Sequence, residues 1–274
     1  MNLPLSEPDE PDEPDGIGPR PAVKPDFWAE LRLSTQSRIG LGRAGDGMPT
    51  GRVLEFRLAH AVARDAVHDP LDVEALTGQI EALGLGRPPV VRSRAADRAQ
   101  YLRRPDLGRL PDDLSAVPHS GADVGFVLCD GLSARALATH AAPALAALLA
   151  ALPDSLSRAT PVIATQARVA LGDHIGLALG VRTVIVLIGE RPGLSVADSL
   201  GVYLTHTPEP GRTDADRNCV SNIHPPEGLG YAGAAAVVAA LVQGARALGR
   251  SGVDLKDSSR EAALPTADRG ASLS

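Results

Sequence analysis

The residues of this chain best suited to chemistry lie in two segments of its C-terminal half. Glu190-Arg191-Pro192-Gly193 directly follows the apolar stretch Val184–Gly189, and a polar run extends from Cys219 to His224. An apolar stretch of this length is typical of a buried strand. Because ligands in open α/β sheets bind beyond the carboxyl ends of strands, the two segments predict a polar pocket. A carboxylate there would accept hydrogen bonds from a ligand rich in amides.

Two interpretations of these segments stay open. Taken singly, Glu190 and Arg191 could be solvated loop charges, and Cys219 a small buried hydrophobe. The pocket is favoured by the polar residues crowded within and just before the second segment, namely Arg217, Asn218, Ser221 and Asn222.

A glycine-rich loop, Gly40-Leu41-Gly42-Arg43-Ala44-Gly45, fits the G-x-G-x-x-G spacing of dinucleotide-binding proteins. That fingerprint requires an apolar strand before it and a helix directly after it. Here a polar segment precedes the loop, and Met48-Pro49 interrupts the chain where the helix would begin. We therefore favour a flexible or partner-binding loop, with a nucleotide-dependent enzyme as an alternative.

Two further motifs have simpler structural interpretations. Ser133 follows Asp130-Gly131-Leu132, but the G-x-S-x-G elbow of a hydrolase is absent, so Ser133 is expected to be a helix N-cap. Asp173-His174 resembles the Asp-x-His motif by which some corrinoid proteins ligate cobalt, but no residue separates the two. We expect a helix-start aspartate and an exposed histidine.

Composition excludes several classes of protein. The net charge of −6 argues against a nucleic-acid partner. The only lysines are Lys24 and Lys256, so the folded part lacks a Walker A or Schiff-base lysine. Two cysteines, Cys129 and Cys219, are too few for a disulfide framework or a Cys-based zinc site. We see neither a membrane-spanning run nor a secretory start and expect a cytoplasmic protein.

The order of apolar patterns predicts an α/β fold, a Rossmann-like doubly wound mainly parallel sheet with a helical N-terminal region. Ser195-x-x-Asp198 fits a capping box before a short helix. In the helical region, apolar residues recur at core spacing: Leu54, Leu58, Ala61 and Val62. The predicted strands are Val124–Cys129, Pro161–Ala164, Thr183–Ile188 and Leu200–Leu204. The predicted helices include Val53–His68, Leu71–Leu83, Ala134–Leu152, Asp173–Leu179 and Tyr231–Leu248.

Four regions follow from these patterns. Residues 1–25 form an acidic Pro-rich tail, whose Glu-Pro-Asp repeat predicts disorder. Residues 26–110 form the helical N-terminal region and 111–250 the Rossmann-like domain. Residues 251–274 are polar and small and predict a flexible tail.

In its motifs the chain resembles the small (light) subunit of ethanolamine ammonia-lyase, an adenosylcobalamin-dependent deaminase. The resemblance covers about residues 26–250, and the combination of GERPGL with DRNCVSNIH is its most specific part. The matching segments are ELRLSTQSRIGLGRAG, YLRRPDLGR, CDGLSARA, ARVALGDHIG, TVIVLIGERPGL and DRNCVSNIHPP.

The resemblance implies a small subunit that covers cobalamin, while a large (heavy) subunit with a TIM-type barrel holds ethanolamine. The complex would convert ethanolamine to acetaldehyde and ammonia by a radical mechanism. The cobalamin contacts implied here are Val169, Glu190 and Cys219. The chain would contribute no catalytic residue and no metal ligand, since the cofactor keeps its own dimethylbenzimidazole on cobalt.

The rival class is a Rossmann-like binding or scaffold module without cobalamin. The N-terminus also departs from some relatives, because its acidic proline repeat stands where they have an amphipathic targeting helix. Packaging in a bacterial microcompartment is therefore left open.

Overall fold

The computed structural model describes residues 26–257, so the tail predicted at 1–25 and the part of the predicted 251–274 tail after residue 257 lie outside the described residues. The chain divides into two compact units, residues 1–49 and 50–274. The described part of the first unit holds one short helix, α1 (Ala29–Leu33). Its Arg32 Nε donates a hydrogen bond to the Ile39 carbonyl at 3.1 Å, which ties the helix to the chain that follows it.

The glycine-rich loop does not have the setting of a dinucleotide site. Residues 26–39 contain a helix and turns but no strand, and Ala44 and Gly47 close a small β-bridge. Gly40 and Gly42 have φ angles of 57° and 79°, a region that favours glycine. A β-carbon on Gly40 would also collide with the Trp28 ring. These glycines therefore shape a turn, and the nucleotide alternative lacks the strand that it needs.

The second unit, in its described part, is an α/β fold of six helices around a six-stranded sheet. Ser133 caps the helix that begins at Ala134, as predicted, since its hydroxyl accepts a hydrogen bond from the Ala136 N–H at 3.2 Å. The helices are α2 (Thr50–His68), α3 (Val73–Glu81), α4 (Arg98–Arg103), α5 (Ala134–Ala151), α6 (Leu171–Leu179) and α7 (Tyr231–Leu248). The strands are β1 (Val90–Arg92), β2 (Val124–Cys129), β3 (Val162–Thr165), β4 (Thr183–Gly189), β5 (Leu200–His206) and β6 (Asn218–Ile223).

The sheet is mixed rather than mainly parallel. Its order is β1-β3-β2-β4-β5-β6, and the first four strands are parallel to one another. Strand β5 runs antiparallel to both β4 and β6. The helix predicted after Ser195 is absent from residues 190–199, which form an irregular loop instead. A parallel return needs a long crossover, so this short connection produces an antiparallel strand.

Two predicted region boundaries differ from the observed elements. Strand β1 lies within the stretch 26–110 and pairs in parallel with β3, so that stretch is not helical throughout. At the other end, the Asn218 side chain donates to the carbonyls of Gly252 and Leu255, at 3.1 and 3.2 Å. The Ser251 hydroxyl bonds the Asp216 carbonyl at 2.6 Å. The ordered part therefore extends past residue 250.

The two faces of the sheet are covered unequally. Helices α5 and α7 pack on one face, over a core that includes Phe126, Leu128 and Ile185. Helix α6 packs on the other face against β2 and β4. On that second face Tyr203 of β5 is only half-buried and Cys219 of β6 is exposed. An open area is therefore left beside α6, on the side of β5 and β6.

Helices α5 and α7 are long and apolar enough to cross a membrane by length and composition. Both are core helices of the sheet, with fully buried residues such as Leu137 and Val242. Core helices of water-soluble domains commonly pass the same test, so it is weak evidence for a membrane protein.

The core prediction for α2 is wrong for its large residues. Leu54 and Leu58 are 59% and 67% exposed, and Val62 is 37% exposed. The residues of α2 that are buried are the small Ala63 and Ala66. Apolar periodicity identified the helix correctly, but its leucines face away from the sheet.

Asp123, the residue directly before β2, makes the stability of the fold depend on pH. The Asp123 carboxylate accepts from the Ser157 hydroxyl and N–H at 2.8 and 3.0 Å and from Arg246 at 2.9 Å. These bonds, those of Ser157 first, lower the pKa of Asp123 to about 2. Because the folded-state pKa is depressed, this stabilisation is present above the unfolded value near 3.9 and is lost as the pH falls toward 2.

We predict that Asp123→Asn lowers the free energy of unfolding by about 1–2 kcal/mol at pH 6. This is less than the pKa shift of Asp123 alone would give, because its side chain is partly exposed to solvent. The difference from the parent chain should shrink between pH 4 and pH 2. Urea denaturation at each pH, followed by circular dichroism, measures it. A difference that stays constant across that range would contradict the assignment.

The loops after β2 and β4 cross in close contact. The Leu132 N–H donates to the Gly189 carbonyl at 2.9 Å. A β-carbon on Gly189 would lie 2.0 Å from the Ser133 carbonyl oxygen. Since backbone cannot yield as a side chain does, Gly189→Ala should destabilise the fold by roughly 1–3 kcal/mol or more.

Gly78→Ala is the matched control, because Gly78 is exposed in the middle of α3 and a β-carbon there meets nothing within 4 Å. It should raise stability by up to about 1 kcal/mol through helix propensity. Equal effects of the two substitutions in chemical denaturation would show that the crossing is not tight.

Candidate functional site

The Glu190 carboxylate links the end of β4 to the two antiparallel strands. Its Oε2 accepts a hydrogen bond from the Ser199 hydroxyl at 2.5 Å and from the Asn222 backbone N–H at 3.2 Å. The Glu190 N–H in turn donates to the Ser199 carbonyl at 2.9 Å. The side chain is half-buried, so one oxygen is held by the protein and the other lies toward Gly201.

Gly201 makes room for this carboxylate. The position of a β-carbon on Gly201 lies 3.0 Å from Glu190 Oε1 and 3.4 Å from its Cδ. Any larger residue there would push the carboxylate off the face of β5. Asn222, whose N–H holds Glu190, has a φ of 63°, in the left-handed region that asparagine tolerates better than most residues.

Cys219 lies directly across from Tyr203 in the β5–β6 pairing. The residue is exposed on the edge strand, while its sulfur lies against Tyr203 and the two side chains share a hydrogen bond. Desolvation and the nearby Glu190 charge raise the pKa of the Cys219 thiol, against the Tyr203 bond, which lowers it. The pKa of Tyr203 is also raised, and burial is the main cause. Both groups are therefore protonated at neutral pH and can act as donors.

Val169 lies in the loop before α6, which a buried carboxylate holds in place. Asp130, at the end of β2, accepts from the N–H groups of Gln166 and Ala167 at 2.8 and 3.0 Å. Gln166 has a positive φ of 53°, which the two bonds help to hold. Arg98 lies 3.5 Å from the same carboxylate. The ends of β2 and β3 are thus joined just before Arg168 and Val169.

Tyr101 holds the side chain of Arg168, the residue before Val169. The Tyr101 hydroxyl donates to the Ala167 carbonyl at 3.0 Å. The Arg168 guanidinium stacks on the Tyr101 ring, 4.5 Å from the ring centroid. The backbone N–H of Arg168 donates to the Gly108 carbonyl at 2.8 Å. A stacked guanidinium of this kind contributes a cation–π attraction and a preset orientation.

These elements enclose a cavity of about 280 Å³ at the carboxyl ends of β2 and β4. It is lined by Val169 and Glu190, two of the residues implied by the resemblance. Tyr203 also lines it, and Cys219 lies next to Tyr203 on the neighbouring strand β6. The other lining residues are Tyr101, Gly131, Leu132, Arg168, Ile188, Gly189 and Arg191.

The structure therefore brings the three sequence-predicted residues to one place. Glu190 bonds to Asn222, three residues beyond Cys219 on the same strand, and Val169 lines the same cavity as Glu190. Cys219 does not line the cavity itself but lies next to it, close enough for the Glu190 charge to act on its thiol.

Several residues of the site were missed by sequence reasoning. Ser199 and Gly201 position Glu190, and Tyr203 joins the cavity to Cys219, yet none lies in a recognisable motif. A signal did exist for Tyr203, because a single tyrosine interrupts the apolar strand β5. Asp173 lies in the first turn of α6, as expected, whereas His174 is not exposed as predicted. Asp173 is buried and pairs with Arg217, and His174 is half-buried, its pKa lowered by desolvation and by Arg94.

A polar cluster lies behind the site on the β6 side. His224 bonds the Asn222 side chain at 2.8 Å, and His140 bonds the Tyr231 hydroxyl at 2.8 Å. Burial lowers the pKa of His140, opposed by Asp198, whose carboxylate lies 3.9 Å from its Nε2. Within residues 26–257 no group of three or more His, Cys, Asp or Glu side chains is arranged to hold a metal ion.

Comparison with known proteins gives a consistent result along the chain. The family model of the ethanolamine ammonia-lyase light chain matches residues 25–256. The chain is 65% identical over 243 residues to the ethanolamine ammonia-lyase small subunit of Rhodococcus erythropolis, covering 89% of this chain and 95% of that protein. It is 49% identical over 250 residues to the small subunit of Bradyrhizobium diazoefficiens, covering 89% and 95%.

A third relative, the small subunit of Rhodopseudomonas palustris, is 51% identical over 236 residues, which cover 84% of this chain and 90% of that protein. The match with the family model spans both compact units and every residue of the cavity. The chain therefore belongs to the ethanolamine ammonia-lyase light-chain family.

Proposed function

We propose that this chain covers and positions adenosylcobalamin against a large subunit, in a complex that converts ethanolamine to acetaldehyde and ammonia. Family membership supports the reaction. The observation that carries the role of the chain is the convergence of Val169, Glu190 and Cys219 beside one cavity. No residue of the site has the arrangement of a nucleophile with its base, so we assign the chain a binding and orienting role.

The cavity fits the edge of a corrinoid. The rim of a corrin ring carries acetamide and propionamide groups, whose N–H donors match the free side of the Glu190 carboxylate. Gly131 and Gly189 line the cavity without side chains, which permits close approach of a flat ring. The Arg168 Nε is buried without a hydrogen-bond partner in the described residues and could donate to an amide carbonyl.

The size of the cavity supports a two-subunit site. Its volume of about 280 Å³ lies at the lower end of the volumes of pockets that bind drug-sized ligands, and a corrinoid is larger than such a ligand. Most of the cofactor would stand outside this chain and need a second surface to exclude water. Bound adenosylcobalamin supplies the radical chemistry, and Glu190, Val169 and Cys219 hold it in one orientation.

We also interpret the second unit as Rossmann-like and the complex as cytoplasmic. Four neighbouring parallel strands, with helices on both faces, support the first interpretation. The site at the carboxyl ends of β2 and β4 agrees with the rule for ligands in open α/β sheets. A scaffold module without cobalamin is the remaining alternative. Absorbance of the purified complex separates the two, because a corrinoid has a visible spectrum.

We predict that Glu190→Ala weakens the affinity of the complex for adenosylcobalamin by about tenfold to a hundredfold, as for lost hydrogen bonds to a charged group. The fold should stay intact, because Ser199 is half-buried and Asn222 is exposed, so water can replace the carboxylate. Equilibrium binding followed by absorbance measures the affinity. Glu227→Ala, at an exposed glutamate in the loop before α7, is the control. Unchanged affinity of Glu190→Ala would remove this carboxylate from the site.

The partner surface is proposed to include the exposed face of α2. Leu54, Leu58 and Val62 lie one turn apart on this helix, and exposed apolar side chains in register are typical of an interface. The partner to which we commit is the large subunit, because the three relatives named above are described as small subunits.

We predict that Leu58→Asp reduces co-purification of the two subunits, since it would bury a charge in the interface. Leu248→Asp, at the similarly exposed end of α7, should have little effect. Size-exclusion chromatography of the co-expressed subunits measures the yield of complex, and circular dichroism checks the fold. Equal yields from both variants would place the interface elsewhere.

A further inference from the structure

Helix α5 holds the loop between β4 and β5, which begins with Glu190. The Ser133 hydroxyl, at the N-terminus of α5, donates a hydrogen bond to the Ala197 carbonyl at 3.0 Å. Two residues further on, the Ser199 hydroxyl donates to the Glu190 carboxylate at 2.5 Å. The loop is therefore fixed on both sides of Asp198, and a displacement of Asp198 would reach Glu190 through Ser199.

The Asp198 carboxylate faces a buried histidine of α5 without bonding to it. One carboxylate oxygen lies 3.9 Å from Nε2 of His140, beyond hydrogen-bond distance. The His140 side chain is only 6% exposed, and its Nε2 has no hydrogen-bond partner among residues 26–257. Because buried polar atoms are nearly always paired, this nitrogen points to a hydrogen bond that forms in a second position of the loop.

The other nitrogen of the His140 ring already has a partner. Its Nδ1 lies 2.8 Å from the hydroxyl of Tyr231, at the start of α7. Burial, and then the charge of Asp198, raise the pKa of Tyr231, so this hydroxyl keeps its proton and can donate to Nδ1. The ring proton then lies on Nε2, and in the charged ring both nitrogens donate. Nε2 can therefore donate to Asp198 in either charge state once the gap closes by about 1 Å.

Closing this gap is linked to the uptake of a proton. Within the described chain the titratable groups that face the ring are Asp198, His224 after β6 and Tyr231 of α7. Burial lowers the pKa of His140, Asp198 raises it through its charge and its backbone, and His224 lowers it. The ring is therefore neutral at pH 7.5. Movement of the Asp198 carboxylate toward Nε2 would raise the pKa of His140, since an opposite charge favours the protonated ring.

We propose that His140 is a positioning residue for the site at Glu190. When a ligand amide bonds Glu190, the loop moves toward α5 and Asp198 accepts a hydrogen bond from His140 Nε2. This bond holds Ser199, and Ser199 holds the Glu190 carboxylate toward the ligand. His140 does not line the cavity and acts only through the loop. The inference rests on the proposed function, because it takes adenosylcobalamin as the ligand.

The first test removes the acceptor in the purified two-subunit complex. We expect Asp198→Ala to weaken the affinity for adenosylcobalamin by about threefold to tenfold, as for one lost hydrogen bond. The fold should stay intact, because the Asp198 side chain is 41% exposed. Asp154→Ala, at a fully exposed aspartate after α5, is the matched control and should leave the affinity unchanged. Equilibrium binding followed by absorbance measures both, and parent-like affinity of Asp198→Ala would overturn the proposal.

The second test uses pH, to which a merely structural histidine would not respond in this way. Because binding raises the pKa of His140, the affinity should increase as the pH falls through the pKa that His140 has without the ligand. His140→Gln keeps an N–H donor near Nε2 but takes up no proton. Relative to this variant, the parent complex should gain about threefold to tenfold in affinity between pH 7.5 and pH 5.5. Asp198→Ala should lose the same gain. A constant ratio between parent and His140→Gln contradicts the positioning role.

The outcomes keep the two proposals apart. A parent complex that binds no adenosylcobalamin would overturn the proposed function and this inference with it. Normal binding that depends neither on Asp198 nor on the charge of His140 overturns the positioning role and leaves the corrinoid function standing. Hydrogen–deuterium exchange of the complex gives an independent measurement. Adenosylcobalamin should slow exchange at residues 197–199 in the parent and do so less in Asp198→Ala, whereas equal slowing in both would refute the movement of the loop.

Discussion

The antiparallel pairing of β5 with β4 is the constraint on which the site depends. It turns the chain back at the carboxyl end of β4, so that β5 and β6 lie beside the loop that carries Glu190. The carboxylate can then bond Ser199 at the start of β5 and Asn222 on β6. A parallel crossover would have placed a helix over this face. The open face therefore results from a short connection between two strands.

The site is made rigid by bonds between loops rather than by a single element. Asp130 joins the end of β2 to the loop after β3, and the Gly189 carbonyl joins the end of β4 to Leu132. Each of these loops belongs to a different strand, so the cavity keeps its shape only while the sheet holds its register. A preformed cavity of this kind costs a ligand less ordering on binding, which suits the orienting role that we propose for this chain.

Charge is distributed unevenly over the cavity at Glu190 and the larger cavity beside the N-terminal end of α6, which Arg168, Val169 and Tyr203 also line. The part near Glu190 offers an acceptor, and the part near Arg109 and Arg217 offers donors. The two cavities therefore offer opposite charges to a ligand. Directional complementarity of this kind gives specificity even where each contact is modest.

The sequence by itself determined the α/β class, the positions of most helices and strands, the Ser133 cap and the segments of the site. These are local properties, because periodicity, capping residues and glycine positions act over a few neighbours. Family resemblance supplied Val169, Glu190 and Cys219 as a set. Only the tertiary structure decided that β5 runs antiparallel, that the α2 leucines face outward and that Tyr203 and four arginines line one cavity. Those outcomes depend on contacts between residues far apart in the chain, which strand pairing and packing select and local pattern does not encode.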